Sequence, residues 1–198
     1  LNALIKMIKI YKLKLFILIY YEIKYIFFLR YKGNSININN HSSYTDNIPT
    51  PYFFLEKIFN FIRNKKINKI VDIGCGSGRV IYFFSRKNPA YKILGYEINK
   101  KIYLKSKSFF KNKKKINILN LNLLKKNKIN NADIFYLADP FKKKSDYIKI
   151  INLITKSKNK TYIILVNINK NITSLKKFRI INQFKFNKLG YKIYSNKI

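Results

Sequence analysis

The chain has 198 residues and 23.7 kDa, enough for one ordinary domain with roughly thirty to fifty residues over. It carries 42 Lys and Arg against 8 Asp and Glu, a net charge of +34, with one Cys and one His. Cys75 alone excludes a disulfide framework, Cys75 with His41 falls short of the usual zinc sets, and a Ser-His-Asp or Cys-His hydrolase would have to use His41 from an Asn- and Ser-rich stretch.

The first thirty-two residues are hydrophobic and basic. Residues 15–29 are nearly all apolar or aromatic, with Lys6, Lys9, Lys12 and Lys14 before them and Arg30 and Lys32 after. A membrane-spanning helix needs about 20 apolar residues, and Glu22 and Lys24 interrupt this run at its middle. An amphipathic helix in an anionic membrane interface fits better, and the plainer reading is an extra helix packed on the domain with its aromatics inward. Residues 33–48 are polar and turn-rich, a linker.

The domain proper is expected over 49–198. Thr50 is placed to cap a helix that starts at Pro51 and runs from Tyr52 to Asn64, with Leu55, Ile58, Phe59 and Ile62 on one buried face. Strands and helices then alternate: a strand at Lys69–Ile73, a helix at Arg79–Lys87, a strand at Lys92–Glu97 and a helix at Lys100–Phe110. Strands follow at Ile116–Leu121 and Asp133–Ala138 with a short basic loop between, then a helix at Ser145–Lys156 and a strand at Tyr162–Asn167. The pattern predicts an α/β fold with a mostly parallel sheet and helices on both faces. Ile180–Asn187 and Tyr191–Ser195 alternate about Lys188-Leu-Gly190, an antiparallel hairpin at the sheet edge.

Composition says less than its extremity suggests. About half of the chain is Ile, Lys and Asn, a bias that suits an AT-rich genome as well as a ligand. A +34 surface attracts RNA, DNA or anionic lipid whether or not any of these is a substrate. The scarce residues carry more. The acids are Glu22, Asp46, Glu56, Asp72, Glu97, Asp133, Asp139 and Asp146, and of six glycines three stand within five residues.

Those glycines belong to Val71-Asp72-Ile73-Gly74-Cys75-Gly76-Ser77-Gly78-Arg79. A buried strand ends beside an acid and turns into a helix whose first N–H groups lack partners, so the backbone can approach a ligand closely. The dinucleotide spacing G-x-G-x-x-G would need glycine where Arg79 stands. Glu97 closes the next strand, about 20 residues past the glycine turn, where a carboxylate can hold both hydroxyls of a ribose.

Together these residues resemble motif I and the following acid of the class I, Rossmann-like, seven-strand S-adenosylmethionine-dependent methyltransferases. The resemblance covers about residues 50–198. It implies a Rossmann-like sheet, S-adenosylmethionine as cofactor, and no metal. Glu97 would hold the ribose and Asp72 the glycine turn and the methionine end, with Gly74, Cys75, Gly76 and Gly78 along the cofactor. Cys75 reads otherwise as a small packing residue. Where the family often has an acid for the adenine amino group, this chain offers Asn120 or Asn122, with Asn122 carried as the contact.

The next strand ends in Asp139-Pro140-Phe141. In the family this position faces the acceptor, and amino-group methyltransferases often carry two prolines there. With one proline, Asp139 and Phe141 are the catalytic-side candidates for orienting an amine. The alternative has Asp139 opening the next helix and Phe141 in the core. Tyr44, Tyr52 and Tyr136 are candidates to line an acceptor channel. The layout is also similar to small bacterial methyltransferases related to the membrane-anchored lysine methyltransferases of the ATP synthase c subunit.

The function expected is methyl transfer to an amine, with protein lysine first and RNA or another nucleic acid as the alternative. A non-enzymatic binder on a cofactor fold is the third reading. The absence of disulfides and of a cleavage site points to the cytoplasm, at the inner face of a membrane if residues 1–32 meet one.

Overall fold

The computed structural model describes residues 16–27, 49–156, 160–168, 172, 175, 176, 178–186 and 189–196. The linker expected at 33–48, with His41, Tyr44 and Asp46, lies outside these residues. In chain order the helices are α1 (16–27), α2 (Tyr52–Ile62), α3 (Arg79–Lys87), α4 (Lys100–Phe109) and α5 (Lys144–Thr155). The strands are β1 (Lys69–Ile73), β2 (Lys92–Glu97), β3 (Ile116–Asn120), β4 (Ile134–Ala138), β5 (Tyr162–Val166), β6 (Arg179–Phe186) and β7 (Leu189–Ser195). A 3-10 turn at Leu123–Lys125 stands at the start of the basic loop between β3 and β4.

The strands form one seven-stranded sheet in the order β3-β2-β1-β4-β5-β7-β6. The first five are parallel, and β7 runs antiparallel to both β5 and β6, the hairpin expected from the alternating tail. Side chains of the central strands alternate between two cores, as the pleat requires. Ile70, Ile134, Tyr136 and Ile164 join the core under α2 and α3, while Val71, Phe135, Leu137 and Ile163 join the one under α5. Each large side chain buried this way contributes about 1.5–3 kcal/mol relative to exposure. Strands covered on both faces explain the unbroken apolar runs of β4 and β5.

The start of α2 departs from expectation. Pro51 is the N-cap and no side chain of its own segment caps the helix. The Thr50 hydroxyl instead accepts from Tyr136 Oη at 3.1 Å. The open N–H of Tyr52 donates to Glu22 Oε1 of α1 at 2.8 Å, so the cap comes from a distant part of the chain.

The rest of α1 is seated the same way. Tyr25 is buried, stacks on Tyr52 with ring centroids 4.9 Å apart, and donates its hydroxyl to Glu56, which also pairs with Lys87 at 2.8 Å. The inward-aromatic reading of this segment therefore holds for Tyr25, with Leu18 and Tyr21 partly buried beside it.

None of the described acids, Glu22, Glu56, Asp72, Glu97, Asp133, Asp139 and Asp146, is exposed. Asp133, for example, accepts through Oδ2 from the N–H groups of Asn68 and Lys69 and so fixes the start of β1.

Candidate functional site

Sheet order reverses between β1 and β4, and crevices in such sheets open beyond the carboxyl ends of the strands at that point. A pocket lies there. It is lined by the glycine turn after β1, by Glu97 and Ile98 at the end of β2, by Leu121, Asn122 and Leu123 after β3, by Ala138, Pro140 and Phe141 at the end of β4, and by Pro49 and Thr50 before α2.

The glycine turn is built by backbone conformations that side chains resist. Gly74, Gly76 and Gly78 have φ of +75°, +54° and +91°. The N–H groups of Gly74 and Cys75 both donate to Tyr96 O, at 2.9 and 3.0 Å, which docks the turn on the end of β2. A Cβ on Gly74 would stand 2.7 Å from Pro140 Cβ, so the turn also packs tightly on the loop after β4.

Asp72 is 2 % exposed and its Oδ2 has no hydrogen-bond partner among the described residues. Burial, and then the charge of Glu97, raise its carboxyl from 3.8 to about 8. An orphaned carboxyl in a pocket wall suits a ligand that brings positive charge and N–H donors. Glu97, also buried, accepts from Gly76 N–H at 2.9 Å and from Asn99 N–H at 2.7 Å. Burial pushes Glu97 upward and these N–H groups oppose it. A carboxylate held in the pocket wall at the end of β2 is suited to a pair of vicinal hydroxyls. This donor set fits S-adenosylmethionine, which has a cationic methionine end and a ribose.

The other predicted residues fall as follows. Asn122 lines the pocket and caps the 3-10 turn through Oδ1, which accepts from Leu124 N–H at 2.9 Å. Asn120 is turned away, donating through Nδ2 to Glu97 O and Ile98 O. Cys75 lines the pocket with its thiol pushed up by burial, and therefore protonated. Phe141 lines the pocket and meets Tyr147 edge-on, with centroids 5.2 Å apart. Asp139, at φ +43°, accepts from the buried Tyr147 hydroxyl, which in turn accepts from Phe141 N–H at 3.3 Å.

Tyr52 and Tyr136 are not lining residues, contrary to expectation. Both are fully buried behind the crevice, because their strand and helix positions face the core. Among the described residues no three His, Cys, Asp or Glu gather as metal ligands.

Two residues of the site were read in the sequence only as interruptions. Arg79 lines the pocket, its guanidinium 4.5 Å over the Tyr52 ring and 2.8 Å from Glu22 Oε2. Glu22 thus holds the first residue of α3 and the first N–H of α2 together. The signal for it was available, since Glu22 is the sole acid before Asp46.

A family model described as "Putative methyltransferase" matches residues 66–152, from just before β1 to within α5. No curated protein matches the chain. Among solved structures, the chain is similar to an RNA methyltransferase from Salinibacter ruber in complex with S-adenosyl-L-homocysteine, at 14% identity and a TM-score of 0.58, covering 75% of this chain and 93% of that one. It is similar to a SAM-dependent methyltransferase from Aquifex aeolicus at 14% identity and a TM-score of 0.54, over 71% of this chain and 88% of that one. A structure titled a "putative caffeoyl-CoA O-methyltransferase" from Staphylococcus aureus aligns at 14% identity and 0.58, over 76% and 86%. At these identities the structures speak for the fold. The family match over residues 66–152 takes in the glycine turn, Glu97 and the strand end before Pro140, and the solved structures share this chain's sheet and its helical layers.

Proposed function

We propose that the chain is an S-adenosylmethionine-dependent methyltransferase that transfers the methyl group to an amine, the side chain of a protein lysine, working from the cytoplasmic side at a membrane surface. The observation that carries the amine reading is the rim after β4. Ala138, Pro140 and Phe141 with Pro49 and Thr50 are uncharged, and Arg79 beside Thr50 is paired with Glu22. Such a rim strips water from an arriving ammonium and favours its neutral, nucleophilic form.

S-adenosylmethionine, when bound, supplies a methyl group on a sulfonium that an amine can attack in line. The chain's own residues orient and exclude water. In this reading Asp72 meets the positive methionine end, Glu97 the ribose hydroxyls, and the turn at Gly74, Cys75, Gly76 and Gly78 lies along the ligand. Asn122 and Leu123 stand at the adenine side. On the acceptor side Asp139 and Tyr147 hold the turn that presents Phe141. Positioning of this kind can supply much of the barrier lowering in a direct transfer.

A second reading, methylation of RNA or another nucleic acid, is favoured by the net charge of +34. One experiment separates the two: transfer from methyl-labelled S-adenosylmethionine into a membrane-containing cell extract, followed by protease or ribonuclease. Label released by protease and recovered as methyl-lysine after acid hydrolysis is the expected result. Label released by ribonuclease selects the second reading, and no labelled macromolecule overturns both.

A further inference from the structure

The outer side of α1 has no partner among the described residues. Phe16 (59 % exposed), Ile19, Tyr20, Ile23 and Phe27 (77 % exposed) recur at helical spacing along one face. The opposite face, with Leu18, Tyr21 and Tyr25, is seated on the domain. A surface helix of a soluble protein puts polar residues outward, whereas this helix is apolar on both sides.

The inner face also fixes what the helix can do. Glu22 bonds at once to Tyr52 N–H and Arg79, and Tyr25 bonds to Glu56, so α1 cannot turn its buried side elsewhere without orphaning buried groups. No described helix is long and apolar enough to cross a membrane. The outer face must therefore meet its partner while α1 stays on the domain.

Charge decides among the partners. Residues 1–32 hold seven Lys or Arg (Lys6, Lys9, Lys12, Lys14, Lys24, Arg30 and Lys32) and one acid, Glu22, which is spent inward. A second copy would set one such basic segment against another. An anionic bilayer would neutralise them while taking up the aromatic and aliphatic side chains at headgroup depth.

We propose that α1 is a monotopic docking helix, lying in the plane of an anionic lipid surface through Phe16, Ile19, Tyr20, Ile23 and Phe27 while its inner face remains part of the methyltransferase fold. This deepens the membrane part of the proposed function and is tested without reference to any acceptor.

The full chain is mixed with vesicles of phosphatidylcholine alone or with phosphatidylglycerol, in ~0.15 M salt, and partitioning is measured by flotation. The parent is compared with Ile23→Gln/Phe27→Gln, which keeps helix propensity and touches neither the site nor the buried face. Expected are binding to the anionic vesicles, a loss on the order of 30-fold in the variant, and an unchanged melting midpoint and S-adenosylhomocysteine affinity. Equal binding by parent and variant would overturn the proposal, leaving charge alone as the cause. So would no binding by the parent, or a parent dimer that the variant turns into monomers without any vesicle binding. Each of these is readable even if the acceptor proves not to be lysine.

Discussion

Replacing Asp72 by Asn keeps the shape of the side chain and removes its titration. In the parent, the folded carboxyl holds its proton to about pH 8, against 3.8 as the ordinary value. Between those values the folded chain binds the extra proton, so stability falls as pH rises and levels off above about 8. Each unit of pH crossed is worth about 1.4 kcal/mol, which sets a ceiling of roughly 6 kcal/mol. Water entering an open crevice lowers this, and ~2–4 kcal/mol is the working expectation. For a chain of this length 1 kcal/mol moves the midpoint by about 2–4 °C. Melts of the unliganded proteins from pH 4 to pH 9 should therefore show the variant gaining on the parent by roughly 5–15 °C across the range. Using the difference between the two cancels the titration of groups that do not interact with Asp72. Saturating S-adenosylmethionine should close the gap at pH 9, because a ligand that binds only the folded parent adds its binding free energy there. Curves that run parallel from pH 4 to pH 9 would refute the reasoning, since Asp72 would then be ordinarily ionised.

Further outcomes follow from other contacts. Glu97→Gln keeps the fold but puts an amide N–H₂ against backbone N–H groups, and S-adenosylhomocysteine binding by calorimetry should weaken by about 10- to 100-fold. Gly78→Ala places a Cβ 2.5 Å from Phe110 Cε2 at φ +91°, which should cost ~2–3 kcal/mol in urea unfolding. Tyr147→Phe removes the bond to Asp139 and the acceptor of Phe141 N–H; about 1–2 kcal/mol of stability should go, with kcat falling more than the affinity for S-adenosylmethionine. Glu22→Ala leaves the Arg79 guanidinium and Tyr52 N–H without their partner and should lower urea stability by ~2–3 kcal/mol.

What could be read from the sequence was whatever depends on neighbours in the chain. Lys69–Ile73, Lys92–Glu97 and Arg79–Lys87 form where expected, because a buried strand, a glycine turn and a helix start are local features. Gly74, Cys75, Gly76 and Glu97 line one pocket for the same reason, the turn and the acid sharing one βαβ unit, whereas Gly78 packs against Phe110 and is not a lining residue. The rest needed the third dimension. Thr50 reads as a cap, yet its hydroxyl meets Tyr136 of β4 and Glu22 caps α2 instead. Tyr52 and Tyr136 look like channel aromatics by type, but the pleat and the helix face turn them into the core. Asn120 and Asn122 are two residues apart at the end of one strand, and only the chain's turn after β3 brings Asn122 to the pocket.

The inward turn of the acids has a consequence for how the molecule behaves as a colloid. With every described acid buried or half-buried and a pI near 10.2, the described surface is dominated by charge of one sign. Dissolved salt governs that surface, through a screening length of about 8 Å at 0.15 M. Preparations should come off a cation exchanger late, carry polyanions from the lysate until high salt strips them, and show no isoelectric precipitation on mild acidification.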